Sequence, residues 1–517
     1  MNLGFSYIGV IYLVMLFIPN IMWSKRKPEE YDKYVLNEKK GLLLFERTGE
    51  VLVTSFALIF SDFNIRSLNL WSMWFAISIF MMLLYEIYWV KYFKTGKTMQ
   101  DFYRGFCGIP LAGATLPVMS FFLLGVYGSN IWMIIATIIL GIGHIGIHKN
   151  HYYECHDRKK VKIKKKIIHA VVGMVFILIF GAISVVIGVR DFRYLKHYKY
   201  MRKGIDEGKY IEIGGQKQYI LMRGENKSNP VIIYLHGGPS SPDTYVTYMF
   251  SDELTDDYTF IAWDQRGCGR TYFNNYKEDK NNNTATFKQA EKDLDELVDY
   301  ACKKFNKDKI IIMGHSYGTI LGSEYAKNHP DKVEAYIGVA QVTSLEKTDI
   351  YSYNDALKRA EDTGKSTEKL VDAYNLYQYD SSLENLMNLR KQISKYHSVH
   401  VKDSETWQAL TSPYFGVDDF KWFLKQIGKM EDYFELNSQL FDYTLGFDSF
   451  AEEREYEMPV YFISGSDDYI CPVDSVREYL DFIKAENKNL FIMKGCGHNT
   501  QYARPKEFAR IVKSCLR

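Results

Sequence analysis

Long apolar stretches, separated by short polar segments, dominate the first 190 residues of this 517-residue chain. A helix needs about 20 mostly apolar residues to cross the hydrocarbon core of a bilayer, where the backbone must satisfy its own hydrogen bonds. Five of the stretches meet this length, whereas the second is weakened by Glu46, Arg47 and Glu50. The sequence predicts an α-helical membrane region of about six transmembrane helices, at roughly Leu3–Trp23, Glu50–Asp62 with part of Leu42–Phe45, Leu70–Val90, Phe106–Tyr127, Ile131–His148 and Ile167–Val189.

The positions of lysine and arginine predict how these segments cross the membrane. The loops at 24–48, 91–105 and 149–166 carry 19 basic residues, whereas the intervening loops at 63–69 and 128–130 carry only Arg66. Short loops rich in lysine and arginine remain in the cytoplasm. This division arises only if the second segment also spans, so we expect the N-terminus and everything after the sixth span to lie outside the cytoplasm.

The net charge of +2 averages two different regions. Residues 1–190 contain 21 basic and 11 acidic residues, which leaves 43 basic and 51 acidic residues in the remainder. The excess of positive charge therefore belongs to the predicted cytoplasmic loops and does not indicate a nucleic-acid partner. We expect a multi-pass membrane region over 1–190, with the lipid bilayer as its partner, and a separate domain over 196–517.

The second region shows short β-branched or aromatic runs that alternate with amphipathic helical segments. Strands that read as nearly continuous apolar runs, alternating with helices, are typical of a mostly parallel sheet with helices on both faces. Residues 343–454 interrupt the alternation and have helical spacing, which indicates a helical cap inserted between two strands. The predicted strands are Tyr210–Ile213, Gln218–Met222, Val231–Leu235, Thr259–Trp263, Lys309–Met313, Glu334–Val339, Pro459–Ser464 and Asn489–Met493.

A G-x-S-x-G motif follows one of these strands, with Ser316 at its centre. A strand that turns sharply into a helix crowds the backbone on both sides of the central serine, and this favours glycine at Gly314 and Gly318. The serine then lies at the N-terminus of the helix, where developing negative charge is favourable. The motif predicts that Ser316 is a nucleophile.

A nucleophilic serine requires a base and a carboxylate that orients the base, and after such a turn they follow in the order Asp, His. His498 follows the last predicted strand and is the expected base. Asp467 and Asp468 both follow the strand before it, so the residues themselves leave the choice between these two carboxylates open.

A glycine-rich turn, His236-Gly237-Gly238-Pro239, ends the strand Val231–Leu235. Backbone N–H groups in such a turn, together with the N–H of the residue after the nucleophile, stabilise the oxyanion of a tetrahedral intermediate. We therefore predict an oxyanion hole formed by the N–H groups of Gly238 and Tyr317.

Four motifs occur along this second region. They are His236-Gly237-Gly238-Pro239, Asp264-Gln265-Arg266-Gly267-Cys268-Gly269-Arg270-Thr271, Gly314-His315-Ser316-Tyr317-Gly318 and Gly465-Ser466-Asp467-Asp468-Tyr469-Ile470-Cys471-Pro472. Together they resemble the proline iminopeptidase family of α/β-hydrolases. The resemblance covers residues from about 200 to 517 and implies an α/β-hydrolase fold with a helical cap, a serine peptidase activity, and Asp468 rather than Asp467 as the carboxylate. It also implies that the segment 264–270 orders a turn beside the site.

This sequence departs from the family in three respects. Thr271 stands where the family has serine, the membrane region has no counterpart in the typical soluble members, and no cap Glu or Asp can be matched to the carboxylates that hold a substrate's free amine. The expected function is a membrane-anchored serine hydrolase, an aminopeptidase acting on short peptides, without a cofactor or a metal in its catalytic site. The alternatives are a carboxylic-ester hydrolase and a sensor or transporter that uses the fold to bind a ligand.

One polar pattern in the membrane region remains open. His144, His148, His151 and Cys155 are spaced by four, three and four residues, so they share one face of a helix. Imidazole and thiolate groups at this spacing can bind zinc. The same pattern also suits polar side chains near the membrane interface, and the sequence does not decide between the two interpretations.

The charge pattern predicts the location of the C-terminus. Alkaline phosphatase fused after Arg517 should be active and a green fluorescent protein fused there should be dark, because the C-terminus is expected outside the cytoplasm. Fusions within the loop 91–105 serve as controls and should give the opposite pair of results. A bright fluorescent fusion at Arg517 would place the hydrolase on the cytoplasmic side.

Overall fold

A computed structural model describes residues 3–28, 30–65, 71–109, 111–155, 181–195, 204–397 and 405–516. The chain divides into two compact units, Met1–Leu195 and Lys196–Arg517.

The first unit is helical throughout its described elements. Three of its helices, α1, α4 and α7, are long and apolar enough to cross a membrane. The elements are α1 (Tyr7–Ser24), α2 (Tyr31–Val35), α3 (Lys40–Ile59), a short 3₁₀ helix (Ser61–Phe63), α4 (Ser72–Phe93), α5 (Met99–Phe102), α6 (Ala112–Gly128), α7 (Ile131–Cys155) and α8 (residues 181–195).

The prediction of about six spans is therefore supported for three helices. Helix α3 corresponds to the second predicted span and has 20 residues, but it carries Lys40, Glu46, Arg47 and Glu50. Helix α6 corresponds to the fourth and is apolar but has only 17 residues. Most of the sixth predicted span, Ile167–Val189, lies outside the described residues.

Glycines allow α3 and α7 to pack backbone against backbone. A Cβ atom added to Gly49 would lie 2.4 Å from the Cα of Leu140, and one added to Gly143 would lie 2.2 Å from the backbone nitrogen of Glu46. Small residues at such contacts let apolar helices approach closely. The contact at Gly143 places Glu46 directly against α7.

The second unit contains an eight-stranded sheet in the order β1-β2-β4-β3-β5-β6-β8-β10. The pairs β1–β2 and β2–β4 are antiparallel, and the other pairs in this sheet are parallel. The mostly parallel sheet predicted from the sequence is thus confirmed. The strands are β1 (Ile205–Ile213), β2 (Gln216–Gly224), β3 (Val231–Leu235), β4 (Thr259–Asp264), β5 (Ile310–His315), β6 (Val333–Val339), β7 (Glu455–Tyr456), β8 (Val460–Gly465), β9 (Lys484–Ala485) and β10 (Lys488–Met493).

The sheet is covered on both faces, and strands β3, β4, β5 and β8 are buried along their whole length. This burial explains their continuous apolar sequences, because neither face is exposed to water. Outside the insertion, the helices are α9 (Tyr248–Ser251), α10 (Gly269–Asn274), α11 (Phe287–Phe305), α12 (Tyr317–Asn328), α20 (Val473–Phe482), α21 (Thr500–Ala503) and α22 (Pro505–Cys515).

Helices occupy the insertion between β6 and β8. They are α13 (Leu345–Thr363), α14 (Glu368–Tyr379), α15 (Leu383–Ile393), a 3₁₀ helix (Ser394–Tyr396), α16 (Glu405–Leu410), α17 (Val417–Ile427), α18 (Met430–Leu436) and α19 (Ser438–Leu445).

A buried ion pair ties this helical insertion to the sheet. Arg270, at the start of α10, donates from Nε to both carboxylate oxygens of Asp419 in α17, at 3.0 and 3.1 Å. Its guanidinium also donates to the carbonyl of Tyr414 and lies 4.2 Å from the ring centroid of Tyr219. Since the Asp419 side chain is only 3% exposed, each charge depends on the other for its stabilisation.

Replacing Arg270 with methionine should leave Asp419 as an uncompensated buried charge. We expect the free energy of unfolding to fall by about 3–5 kcal/mol, measured by urea unfolding of the full-length protein in detergent. The control is Lys421→Met, because Lys421 pairs with Asp418 on the same helix in an exposed setting and should contribute no more than about 1 kcal/mol. Equal effects of the two substitutions would contradict the role of the buried pair.

Candidate active site

Ser316 lies at the turn between β5 and α12. Its backbone has φ 50° and ψ −124°, which is a left-handed conformation that non-glycine residues rarely adopt. The Ser316 N–H donates to the carbonyl of Val339 on the neighbouring strand β6, at 3.0 Å. Backbone strain held in place by a buried strand is a recurring feature of functional sites.

The two glycines that flank Ser316 fit because the turn leaves no room for a side chain. A Cβ atom on Gly314 would lie 2.4 Å from the carbonyl oxygen of Gly318, and one on Gly318 would lie 2.2 Å from the carbonyl oxygen of Leu235. Both contacts are with backbone atoms, which cannot move aside as a flexible side chain would. Steric crowding therefore requires glycine at both positions, as the motif predicts.

His498 and Asp468 form a hydrogen-bonded pair. The Nδ1 of His498 lies 3.0 Å from Oδ2 and 3.2 Å from Oδ1 of Asp468. The Asp468 side chain is fully buried, and its Oδ1 also accepts the N–H groups of Ile470 and Cys471 at 2.8 and 2.9 Å. These bonds fix the carboxylate, so the Nδ1–H of His498 can donate to it and Nε2 is left to accept a proton.

Asp467 points to a different partner. Its Oδ1 lies 3.2 Å from Nη1 of Arg359 in the cap helix α13, and its Oδ2 accepts the hydroxyl of Ser466 at 2.9 Å. The structure thus brings Asp468, and not Asp467, to His498.

The predicted oxyanion-hole residues lie beside Ser316. Tyr317 is the first residue of α12, so its N–H has no acceptor within the helix. Gly238 has φ 123° and lines the same cavities as Ser316, and a Cβ on its neighbour Gly237 would lie 3.1 Å from the Ser316 Cβ. The glycine turn therefore packs closely against the nucleophile.

Two buried histidines support these loops. The pKa of His315 is lowered to about 3, chiefly by burial and then by the charge of His498, and burial lowers the pKa of His236 to about 4. Both rings are therefore neutral at pH 7. The Nε2 of His315 lies 3.2 Å from the carbonyl oxygen of His498 and can donate to it, which holds the His498 loop against the nucleophile turn.

The segment 264–270 is built into the structure by hydrogen bonds. The Nε of Arg266 donates to the buried Asp293 at 2.7 Å, and the N–H of Arg270 donates to Asp264 at 3.0 Å. Thr271 donates its hydroxyl to the carbonyl of Asp264 at 2.6 Å and accepts the N–H of Tyr219 at 2.9 Å. A threonine hydroxyl thus serves at the position where the family has serine.

Two cavities meet at Ser316. One, of about 640 Å³, is also lined by His498 and by the cap residues Phe415, Phe420 and Phe423. The other, of about 230 Å³, lies toward α15, α18 and α19. Together they provide space on both sides of a scissile bond held at Ser316.

The larger cavity also contains two charged residues that the sequence analysis did not select. Asp243 accepts the hydroxyls of Tyr234 and Tyr502 on Oδ2, at 2.9 and 2.6 Å, whereas its buried Oδ1 has no partner among the described residues. Arg390 of α15 lines both cavities and lies 3.4 Å from Asp349. Asp243 lies only four residues after Pro239, the last residue of the glycine turn, and this proximity was the available sequence signal.

One arrangement of side chains at the site could also suit a metal. Ligand atoms of Asp468, Cys471 and His498 lie within 4.8 Å of one another. Burial raises the pKa of the Cys471 thiol well above its usual value, which disfavours the thiolate that a metal requires. The hydrogen bonds between Asp468 and His498 account for the same carboxylate and imidazole without an ion.

The comparisons with known proteins agree with this fold. A family model described as the alpha/beta hydrolase fold matches residues 230–505. The chain belongs to the α/β-hydrolase fold family.

A probable aminopeptidase of Bacillus subtilis is 24% identical over 313 residues, which cover 60% of this chain and 95% of that protein. A proline iminopeptidase of Lactobacillus acidophilus is 23% identical over 317 residues, covering 60% and 98%. The crystal structure of a proline iminopeptidase from Mycobacterium smegmatis has 17% identity and a TM-score of 0.43, covering 60% and 97%. The predicted resemblance to proline iminopeptidases and the assignment as a serine hydrolase are confirmed.

The two neighbouring aspartates give a direct test of the site. Asp468→Asn should lower kcat for hydrolysis of a p-nitrophenyl ester by roughly 10⁴-fold, because the amide cannot hold His498 in the required tautomer. Asp467→Asn is the matched control and should leave kcat almost unchanged, since Asp467 contacts Arg359 instead. The reverse order of effects would exclude Asp468 as the orienting carboxylate.

Proposed function

We propose that this protein is a membrane-anchored serine hydrolase that removes N-terminal residues from short peptides. The observation that carries the proposal is that His498, hydrogen-bonded to the buried Asp468, lines the same cavity as the strained Ser316. The similarity to a probable aminopeptidase and to a proline iminopeptidase supports a peptide substrate.

In the proposed reaction, the Oγ of Ser316 attacks the carbonyl carbon of the first peptide bond. His498 takes the hydroxyl proton on Nε2, and Asp468 stabilises the imidazolium through Nδ1–H. The N–H groups of Gly238 and Tyr317 stabilise the oxyanion of the tetrahedral intermediate.

His498 then gives its proton to the leaving amine, which breaks the C–N bond and leaves an acyl-enzyme. Water enters, is deprotonated by the same imidazole and attacks the ester carbon. The C–Oγ bond then breaks, His498 returns the proton to Oγ, and the free amino acid leaves with the Ser316 hydroxyl restored.

An aminopeptidase also needs an acceptor for the substrate's ammonium group, and we assign this role to Asp243. Asp243 lines the cavity of Ser316, with one carboxylate oxygen held by two tyrosines and the other without a partner in the part of the chain that the structure describes. A charge-assisted hydrogen bond from an ammonium would satisfy that oxygen. This would supply the carboxylate that could not be matched in the cap.

Ester hydrolysis is the second candidate. The cap side of the larger cavity presents Phe415, Phe420 and Phe423, which suits an apolar acyl chain as well as a peptide side chain. The two candidates differ in their need for a charged amine, so their substrates separate them.

A panel of aminoacyl-naphthylamides and short-chain p-nitrophenyl esters, assayed with the wild type and Ser316→Ala, tests the proposal. We expect higher kcat/KM for substrates with a free α-amine than for their N-acetylated counterparts, and no turnover by Ser316→Ala. Turnover of esters alone would favour the second candidate. No turnover of either class would support a role in ligand binding.

The pKa of Asp243 predicts how this preference depends on pH. Burial raises that pKa to about 6, so the carboxylate loses its charge as the pH falls through 6. KM for an aminoacyl-naphthylamide should therefore rise by about tenfold between pH 7.5 and pH 5, whereas KM for an uncharged ester should stay constant.

Asp243→Asn should abolish this pH dependence and raise KM for the amine substrate by about 10–100-fold at pH 7.5. Asp257→Asn is the matched control, because Asp257 is half-exposed and pairs with Lys513. A variant at Asp243 that slowed ester and amine substrates equally would show a structural role only.

A further inference from the structure

A cluster of polar side chains lies between α3 and α7 of the first unit, and the proposed hydrolase chemistry does not use it. Glu46 belongs to α3, whereas His144 and His148 are one turn apart on α7. One potential ligand atom from each of the three lies within 4.8 Å of the others. The Nδ1 of His144 lies 2.7 Å from Oε1 of Glu46.

The packing of the two helices creates this cluster. Because Gly143 has no side chain, the backbone of α7 contacts the backbone of Glu46 and brings the carboxylate beside His144. The Glu46 side chain is only 12% exposed, and that of His144 is 25% exposed. A largely buried carboxylate is costly unless it is paired with a charge or coordinates a metal.

A second layer of hydrogen bonds orients the histidines. The hydroxyl of Tyr103 lies 3.0 Å from Nδ1 of His148 and 3.1 Å from Nδ1 of His151. A hydrogen bond at Nδ1 fixes the ring of His148 and leaves its Nε2 free to act as a ligand, as in known metal sites. His151 itself lies 3.5 Å from Glu38.

A cavity of about 550 Å³ opens onto all three side chains. Its lining includes the carboxylates of Glu38, Glu46 and Glu50 against the cations Lys27 and Arg47. The surplus of carboxylates favours a cation. Three protein ligands beside open space correspond to a metal site that keeps a coordination position for water or substrate.

We propose that Glu46, His144 and His148 bind one divalent first-row transition-metal ion, with its remaining coordination directed into this cavity. Two imidazoles and one carboxylate form a donor set that suits zinc and its neighbours. Binding requires an ionised Glu46 and neutral imidazoles, so it displaces any proton shared by Glu46 and His144.

The structure selects a different ligand set from the histidine and cysteine face seen in the sequence. His144 and His148 belong to the cluster, but His151 serves as a partner of Tyr103 and Glu38. The thiol of Cys155 donates to the carbonyl of Tyr152 at 3.5 Å, within its own helix. The carboxylate comes from α3, which sequence spacing cannot reveal.

The test measures metal directly in the full-length protein, purified in detergent with a tag that contains no histidine. Inductively coupled plasma mass spectrometry of the wild type should find about one equivalent of transition metal per chain. After chelation, added Co²⁺ should restore one equivalent and give visible d–d absorption bands. Less than about a tenth of an equivalent in both measurements would overturn the proposal without any variant.

Three variants locate the ion. Glu46→Gln and His148→Gln should lose it, and Tyr103→Phe should weaken Co²⁺ binding by about 10–100-fold while the ligands remain. His329→Gln is the control, because His329 is a partly exposed histidine of the second unit and should retain the full metal content. Metal retained in both ligand variants would place the ion elsewhere and overturn the assignment.

Discussion

The sharp reversal of the chain at Ser316 is the constraint on which the hydrolase unit depends. The turn holds a non-glycine residue in a left-handed conformation, and the backbone contacts at Gly314 and Gly318 leave no room for side chains. Such strain persists only where the surrounding structure over-determines it. Here the fully buried strand β5, paired with β3 and β6, provides that support.

The other site residues follow from the same sheet. Asp468 and His498 come after β8 and β10, whose carboxyl ends lie at the same edge as the end of β5 because the strands are parallel. The cap covers this edge of the sheet. The buried ion pair between Arg270 and Asp419 links the cap to the sheet. An enclosed site of this kind strengthens the electrostatic interactions that stabilise an oxyanion.

The sequence predicted most accurately those features that depend on residues close together in the chain. The strands were predicted from continuous apolar runs, and the first of them differs chiefly in starting at Ile205 rather than Tyr210. Helix α20 ends at Phe482, and Lys484–Ala485 then pairs with β7, a contact between segments that apolar runs do not indicate. The motif around Ser316 predicted its turn because glycine spacing reports backbone geometry directly.

Contacts between segments that are distant in the chain could not be predicted from the sequence alone. The residues themselves did not decide whether Asp467 or Asp468 orients the histidine. Only the fold shows that Asp467 contacts Arg359 and that Asp468 contacts His498. Asp243 gave little signal because the role proposed for it depends on a cavity that the cap helps to line. The charges on α3 weakened the prediction of a span there, and one of them, Glu46, lies in a cluster with His144 and His148 of α7.

The central claim is that Ser316 is an activated nucleophile, and covalent labelling tests it most directly. A fluorophosphonate probe phosphonylates a serine only when its hydroxyl is activated by a base. We predict one adduct per chain, located on Ser316 by peptide mass spectrometry and absent from His498→Ala. Labelling at another serine, or a wild type that is folded but unlabelled, would contradict the account.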